Sequence, residues 1–231
     1  MKINKNTQVF GSFSKKPGNR GCGLFNAAFE YHQIDAIYKS FRIENIEQAV
    51  ESARCLGFSG FAVSMPFKVK VLDFVDEISD VAQKCESANT IINKGGKLTA
   101  FNTDYLAVSQ FIKTVTGEVS GETGSLEDLL RRNIPFYVLG DGGYAKSVIR
   151  SVSDTGVSPK KITRKNWSEI DSIKDSIVFN CTPLEKIALS EGSILINAPT
   201  STPSGRMLGI MQASHQYFLY TGKRFPFNYD A

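Results

Sequence analysis

Three sets of polar residues stand where apolar runs break. Lys68 follows the run from Phe58 to Met65, which Pro66 cuts short, so the lysine falls on the loop ahead of the next helical segment. A helix start already carries partial positive charge and has no local need of a cation. Asp104 opens a helix beside Asn102 and Thr103, and Asn89 and Thr90 bring polar groups to the start of an otherwise apolar strand. The chain has only two histidines, both inside helical segments, which leaves lysine and carboxylates as the agents for proton transfer. Taken singly, each group has a plainer account: Lys68 as a surface loop cation, Asp104 as a helix-start residue. Together they are polar groups at strand or helix ends of one domain, the usual place for a site.

A further set lies in the later half. The stretch "IPFYVLGDGGYAKSVIRSV" is an apolar strand, a glycine turn and an amphipathic helix in succession, the start of a dinucleotide-binding unit. Gly140, Gly142 and Gly143 let the backbone turn tightly and approach a pyrophosphate that the helix N-terminus attracts. Asp141 argues the other way, since a carboxylate in the turn faces the same phosphates; a glycine loop that binds nothing is the plain alternative. The next strand ends in Arg164 and Lys165 instead of the acidic residue that holds the ribose of NAD. Cations there suit a 2′-phosphate, so NADP is favoured over NAD as the cofactor, although a solvated basic strand end would read the same.

The elements that must position these groups alternate. Strands are expected near 7–10, 36–41, 60–64, 88–93 and 97–102, with helices over 24–32, 43–56, 70–74, 80–85 and 103–115. Gly95-Gly96 signals a hairpin turn, and "TGEVSGETGS" reads as a linker or long loop. Beyond it, a helix over 126–132 precedes the glycine-turn unit, strands follow over 160–164, 176–181 and 193–198, and a helix over 205–220 closes the pattern.

Composition bounds the classes open to the chain. Its 231 residues, 42% hydrophobic, can bury a substantial core. A net charge of +4 from 27 basic and 23 acidic residues, with no basic block, speaks against nucleic acid as a partner. The first residues lack the apolar stretch of a signal peptide, and no segment nears the roughly 20 apolar residues that cross a bilayer, so a soluble cytoplasmic protein with no membrane partner is expected. Four cysteines without C-x-x-C pairing suggest neither a disulfide framework nor a metal site.

The ordered motifs "FAVSMPFK", "ESANTIIN", "AFNTDY", "VLGDGGYAK", "FNCTP" and "MQASHQYFLYTG" resemble the shikimate dehydrogenase family. The likeness is to its shikimate dehydrogenase-like branch, with "VSMPFK" in place of the commoner "VTIPHK". The resemblance implies an α/β protein of two domains with the substrate in the cleft between them. These would be an N-terminal substrate domain (1–113), a shortened Rossmann-like NADP-binding domain (114–204) and a C-terminal helix (205–231) returning to the first. It implies an NADP-dependent oxidoreductase moving a hydride to or from a secondary alcohol of a small cyclic hydroxy acid related to shikimate or quinate. By the same likeness Lys68 and Asp104 handle the proton, Ser14, Ser64, Asn89 and Gln212 bind substrate, and Gly140, Gly142, Gly143, Arg164 and Lys165 bind NADP.

The match departs in two places. In "SKKPGNRGCGLFN", Gly18, Cys22, Gly23 and Phe25 replace positions that usually carry Ser, Thr, Thr and His, removing hydroxyls that would receive the substrate carboxylate; Arg20 offers a guanidinium instead. The cofactor domain is also abbreviated after Arg164 and after "NAPTSTP". Helices that should cover its sheet are short or absent, which calls for other cover, and a second subunit in a homodimer is one candidate. These departures keep open a second reading, a non-redox small-molecule-binding or regulatory protein on the same scaffold.

Overall fold

The computed structural model describes residues 3–119 and 122–227. The chain divides into two compact units: Met1–Thr103 with Gln212–Ala231, and Asp104–Met211.

The first unit is built on a mixed six-stranded sheet. Its elements run β1 (Gln8–Ser14), α1 (Arg20–Tyr31), β2 (Ala36–Arg42), α2 (Ile46–Cys55), β3 (Gly60–Val63), a 3₁₀ turn (Lys70–Phe74), β4 (Glu77–Ile78), α3 (Asp80–Cys85), β5 (Thr90–Lys94) and β6 (Lys97–Phe101). The strand order is β2-β1-β3-β5-β6-β4. β1 lies parallel to β2 and β3, each reached through a crossover helix, whereas β5 runs antiparallel to both β3 and β6. Lys94 faces Lys97 across the hairpin, and Gly95 and Gly96 both take positive φ, the two-residue turn expected of that pair.

Strand periodicity sorts the core of this unit into two sets. Phe13 joins Val50, Phe61, Val63, Val71, Ile91 and Leu98 in one buried cluster. Phe10, three residues earlier and so on the opposite face, packs against Phe29 and Tyr220. That aromatic set extends through Phe25, Tyr38, Tyr217 and Phe225. Tyr217 is fully buried and satisfies its hydroxyl by donating to the Ala28 carbonyl at 3.0 Å. His32 stacks on Tyr217 and bonds the Arg224 carbonyl, the structural role expected of a lone helical histidine.

The second unit follows with α4 (Thr103–Thr114), β7 (Thr116–Val119), β8 (Glu122–Ser125), α5 (Leu126–Arg131), β9 (Phe136–Leu139), α6 (Gly143–Ser153), β10 (Lys160–Ile162), a 3₁₀ segment (Arg164–Ser172), β11 (Ile177–Asn180), β12 (Ile194–Asn197) and the start of α7 (Pro203–Thr221). Four strands in the order β10-β9-β11-β12, all parallel, form its sheet. One cluster unites Ala107, Val108, Phe111 and Ile112 of α4 with Leu129, Val148, Phe179 and Met211. This packing places the unit boundary at residue 104, ten residues ahead of the boundary drawn from sequence. A second cluster joins Leu139, Ile162 and Val178 to Ile170 and Ile173, with Trp167, Ile187 and Leu189 against it. The abbreviated sheet therefore has apolar cover from its own 3₁₀ segment and the loop after β11.

The stretch expected to be a linker instead forms the antiparallel pair β7 and β8, with Thr116 opposite Ser125. Gly117 permits a close approach there, because an added Cβ would come within 2.6 Å of Ile194 Cδ1. Ser120 and Gly121, also read as linker, lie outside the described residues.

Candidate functional site

In the first unit the polar residues singled out from sequence meet in a buried hydrogen-bonded cluster. The Asn89 side chain is 3% exposed, and its Oδ1 accepts the Thr103 backbone N–H at 2.8 Å and the Thr103 hydroxyl at 3.0 Å. A backbone N–H must face an oxygen, so this bond fixes which way the Asn89 amide points. Gln212 Nε2 donates to Thr103 Oγ1 at 2.9 Å, and Gln216 Nε2 donates to Thr90 Oγ1 at 2.8 Å. Gln212 and Gln216 are one helical turn apart on α7 and bond each other at 3.3 Å.

The same cluster holds the backbone next to both proton-transfer candidates. Ala88 N–H donates to the Lys68 carbonyl at 2.8 Å, Asn89 follows Ala88, and Asn89 grips Thr103, whose neighbour is Asp104. Lys68 is half-buried on the loop that follows β3, steadied by Phe67, which is 7% exposed. Asp104 is buried, 4% exposed, in the first turn of α4, where helix N–H groups favour a negative charge. Its charge, after desolvation and the Cys181 thiol, is one of the causes that raise the Tyr144 phenol well above its ordinary pKa.

Other expected substrate-binding residues are placed differently. Ser64 is exposed at the end of β3, its N–H donating to the Phe13 carbonyl. Ser14 is buried at the end of β1. Around it the small polar groups are spent on one another: Ser12 Oγ lies 3.1 Å from Ser40 Oγ, which lies 3.3 Å from Cys22 Sγ. Asn26 bonds both the N–H and the carbonyl of Tyr38, tying α1 to β2. Burial raises the Tyr38 phenol, against a lowering hydrogen bond from Ser12.

In the second unit the glycine turn joins β9 to α6. Gly140 has φ +110°, a conformation that favours glycine, and its N–H donates to the Ile162 carbonyl. Gly142 is the N-cap of α6 and Gly143 its first residue, with open space where a Gly142 Cβ would stand. Beside the turn lies a cavity of about 680 Å³ lined by Asp141, Lys161, Thr163, Arg164 and Lys165. Thr163 caps the 3₁₀ segment in a reciprocal box with Asn166, which fixes the loop carrying Arg164 and Lys165. A turn that needs glycine, open space at the helix start and cations at the end of β10 together fit a phosphorylated dinucleotide.

Residues 20–91 match the shikimate dehydrogenase substrate binding domain. Over 266 aligned residues, the chain is 31% identical to a shikimate dehydrogenase-like protein of Haemophilus influenzae, covering 96% of this chain and 93% of that one. The chain belongs to the shikimate dehydrogenase family. A solved shikimate 5-dehydrogenase-like protein superposes with a TM-score of 0.75 at 29% identity, covering 96% of this chain and 94% of that one. A Bacillus cereus relative named shikimate dehydrogenase (NADP(+)) is 31% identical over 72% of this chain, but the match spans only 56% of that relative. As in the two-domain fold of that family, the chain pairs a mixed sheet with a smaller parallel one.

Three features were not legible in the sequence: Gln216, Thr163 and the hydrogen-bonding role of Thr103. The first was signalled only by its spacing from Gln212, and the second by its place ahead of Arg164. Among the described residues no group of three or more His, Cys, Asp or Glu side chains could hold a metal ion. No described helix is long and apolar enough to cross a membrane.

Proposed function

We propose that this member of the shikimate dehydrogenase family is an NADP-dependent oxidoreductase acting on a secondary alcohol, or the matching ketone, of a small cyclic hydroxy acid. The observation that carries the reading is the bonded path from the Lys68 carbonyl through Ala88 and Asn89 to Thr103, beside Asp104. It fixes the backbone at the two residues able to exchange a proton. The name of the Bacillus cereus relative, shikimate dehydrogenase (NADP(+)), supports the coenzyme.

When bound, the coenzyme would be the redox partner, NADP+ accepting a hydride from the alcohol or NADPH supplying one to the ketone. Oxidation of the alcohol must also release its hydroxyl proton, and Lys68 and Asp104 are the residues that handle it. Asn89 and Gln212, oriented by Thr103, bind hydroxyls of the hydroxy acid, and Ser14 and Ser64 offer further hydroxyls. Gly140, Gly142 and Gly143 admit the pyrophosphate to the start of α6, and Arg164 and Lys165 receive the 2′-phosphate.

Calorimetric titration of the purified chain with NADPH, with NADH and an Arg164→Ala variant alongside, tests the coenzyme half of the proposal. Micromolar binding that prefers NADPH and weakens at least tenfold in the variant is expected. Failure of both nucleotides to bind would overturn it and favour the non-redox reading.

A further inference from the structure

The carboxylate of Asp141 is the feature that a plain NADP site does not account for. It is exposed, it belongs to the glycine turn, and it lines the same cavity as Lys161, Thr163, Arg164 and Lys165. That cavity lies at the end of β10, where a dinucleotide-binding unit places the adenosine ribose, and its volume of about 680 Å³ is of the size that takes such a group. We infer that Asp141 is a coenzyme-selectivity residue that narrows the preference for a 2′-phosphate over a free 2′-hydroxyl. This rests on the assignment of the cavity to the coenzyme under the proposed function.

The chemistry follows from what each ribose presents. A 2′-phosphate brings a charge near −2, which Arg164, Lys165 and Lys161 attract and the Asp141 carboxylate repels. A 2′-hydroxyl brings no charge and can donate a hydrogen bond, and among the five lining residues Asp141 is the one ionised acceptor. The carboxylate therefore costs affinity for the phosphorylated ribose and can add affinity for the plain one. The pyrophosphate is governed separately, since Gly142 and Gly143 carry the backbone that opens α6 while the Asp141 side chain lines the cavity. Because the lining side chains are exposed, solvent screens the repulsion and keeps the effect to about fivefold in affinity.

Two fragments isolate the effect: adenosine 2′,5′-bisphosphate and adenosine 5′-monophosphate, which differ only in the 2′-phosphate. Each is titrated into the full chain as wild type, Asp141→Asn and Arg164→Ala. In Asp141→Asn the bisphosphate should bind about fivefold tighter while the monophosphate stays within twofold or weakens, so their affinity ratio widens about fivefold. Arg164→Ala should collapse the ratio toward one. If Asp141→Asn leaves the ratio unchanged, or tightens both fragments equally, while Arg164→Ala still collapses it, the selectivity role is refuted and the coenzyme assignment stands. If neither fragment binds any of the three proteins at millimolar concentration, the coenzyme assignment fails and takes the selectivity role with it.

Discussion

Replacing Asn89 by Ala probes the cluster on which the candidate site depends. The substitution removes the oxygen that accepts the Thr103 backbone N–H at 2.8 Å, in a place where Thr103 is fully buried. A backbone donor cannot be redirected, and stranding one in a buried position costs about 1–3 kcal/mol. The Thr90 and Thr103 hydroxyls also lose Oδ1, but they lie 3.1 Å apart and can rotate toward each other, so they add little. The missing side-chain volume contributes a small cavity, which brings the expected loss to about 2–4 kcal/mol. Urea unfolding followed by far-ultraviolet circular dichroism gives the free energy, and amide hydrogen exchange at Thr103 gives the local consequence. A loss below about 0.5 kcal/mol, together with unchanged protection of the Thr103 amide, would refute the account of Asn89 as the residue that organises this region.

Three further outcomes follow from particular residues. Gly140→Ala should destabilise the second unit by about 1–2 kcal/mol because of its φ of +110°, measured by the shift in urea midpoint. Gly142→Ala has extended φ and ψ and open space, so it should cost no more than the roughly 1 kcal/mol of placing alanine at an N-cap, read from the urea midpoint, yet weaken NADPH about tenfold by placing a methyl group where a pyrophosphate would approach. Asp76 accepts the Leu98 N–H at 2.6 Å and pairs with Arg54 at 2.7 Å, which together hold its pKa below the ordinary carboxylate value. Its contribution is therefore present above the unfolded-state pKa and lost as pH falls through the lower folded value. Asp76→Asn should flatten the fall in stability below pH about 4, as followed by urea midpoints across that range.

The parts of this protein that were legible from sequence are those set by local chemistry. Gly95-Gly96 specifies a hairpin turn by positive φ alone, and the run "FYVLGDGG" specifies strand, turn and helix start without reference to anything distant. Asn89 and Thr90 could be singled out because they bring polar groups to the start of an apolar strand, and both join the buried hydrogen-bonded cluster. What was not legible depends on partners far along the chain. Gln216 gains meaning only when α7 brings it to Thr90, 126 residues away in sequence. "TGEVSGETGS" lacks the apolar residues of a strand, yet Gly117 fits against Ile194 and the flanking residues pair as β7 and β8. The boundary at residue 104 follows from Ala107, Val108, Phe111 and Ile112 joining the core of the second unit, which the helical pattern of α4 does not reveal. Trp167, Ile170 and Ile173 recur every third residue, the period of a 3₁₀ helix, but three apolar positions in a short polar segment are too few to predict that they cover the shortened sheet.

The most direct test of the central claim is hydride transfer itself, followed as NADPH formation at 340 nm with a panel of cyclic hydroxy acids that includes shikimate and quinate. The wild-type chain should turn over at least one such acid, with kcat reduced about 10²- to 10⁴-fold in Lys68→Ala while NADPH affinity is unchanged. Absence of transfer to every acid under conditions where NADPH binds, or transfer that Lys68→Ala leaves intact, would contradict it.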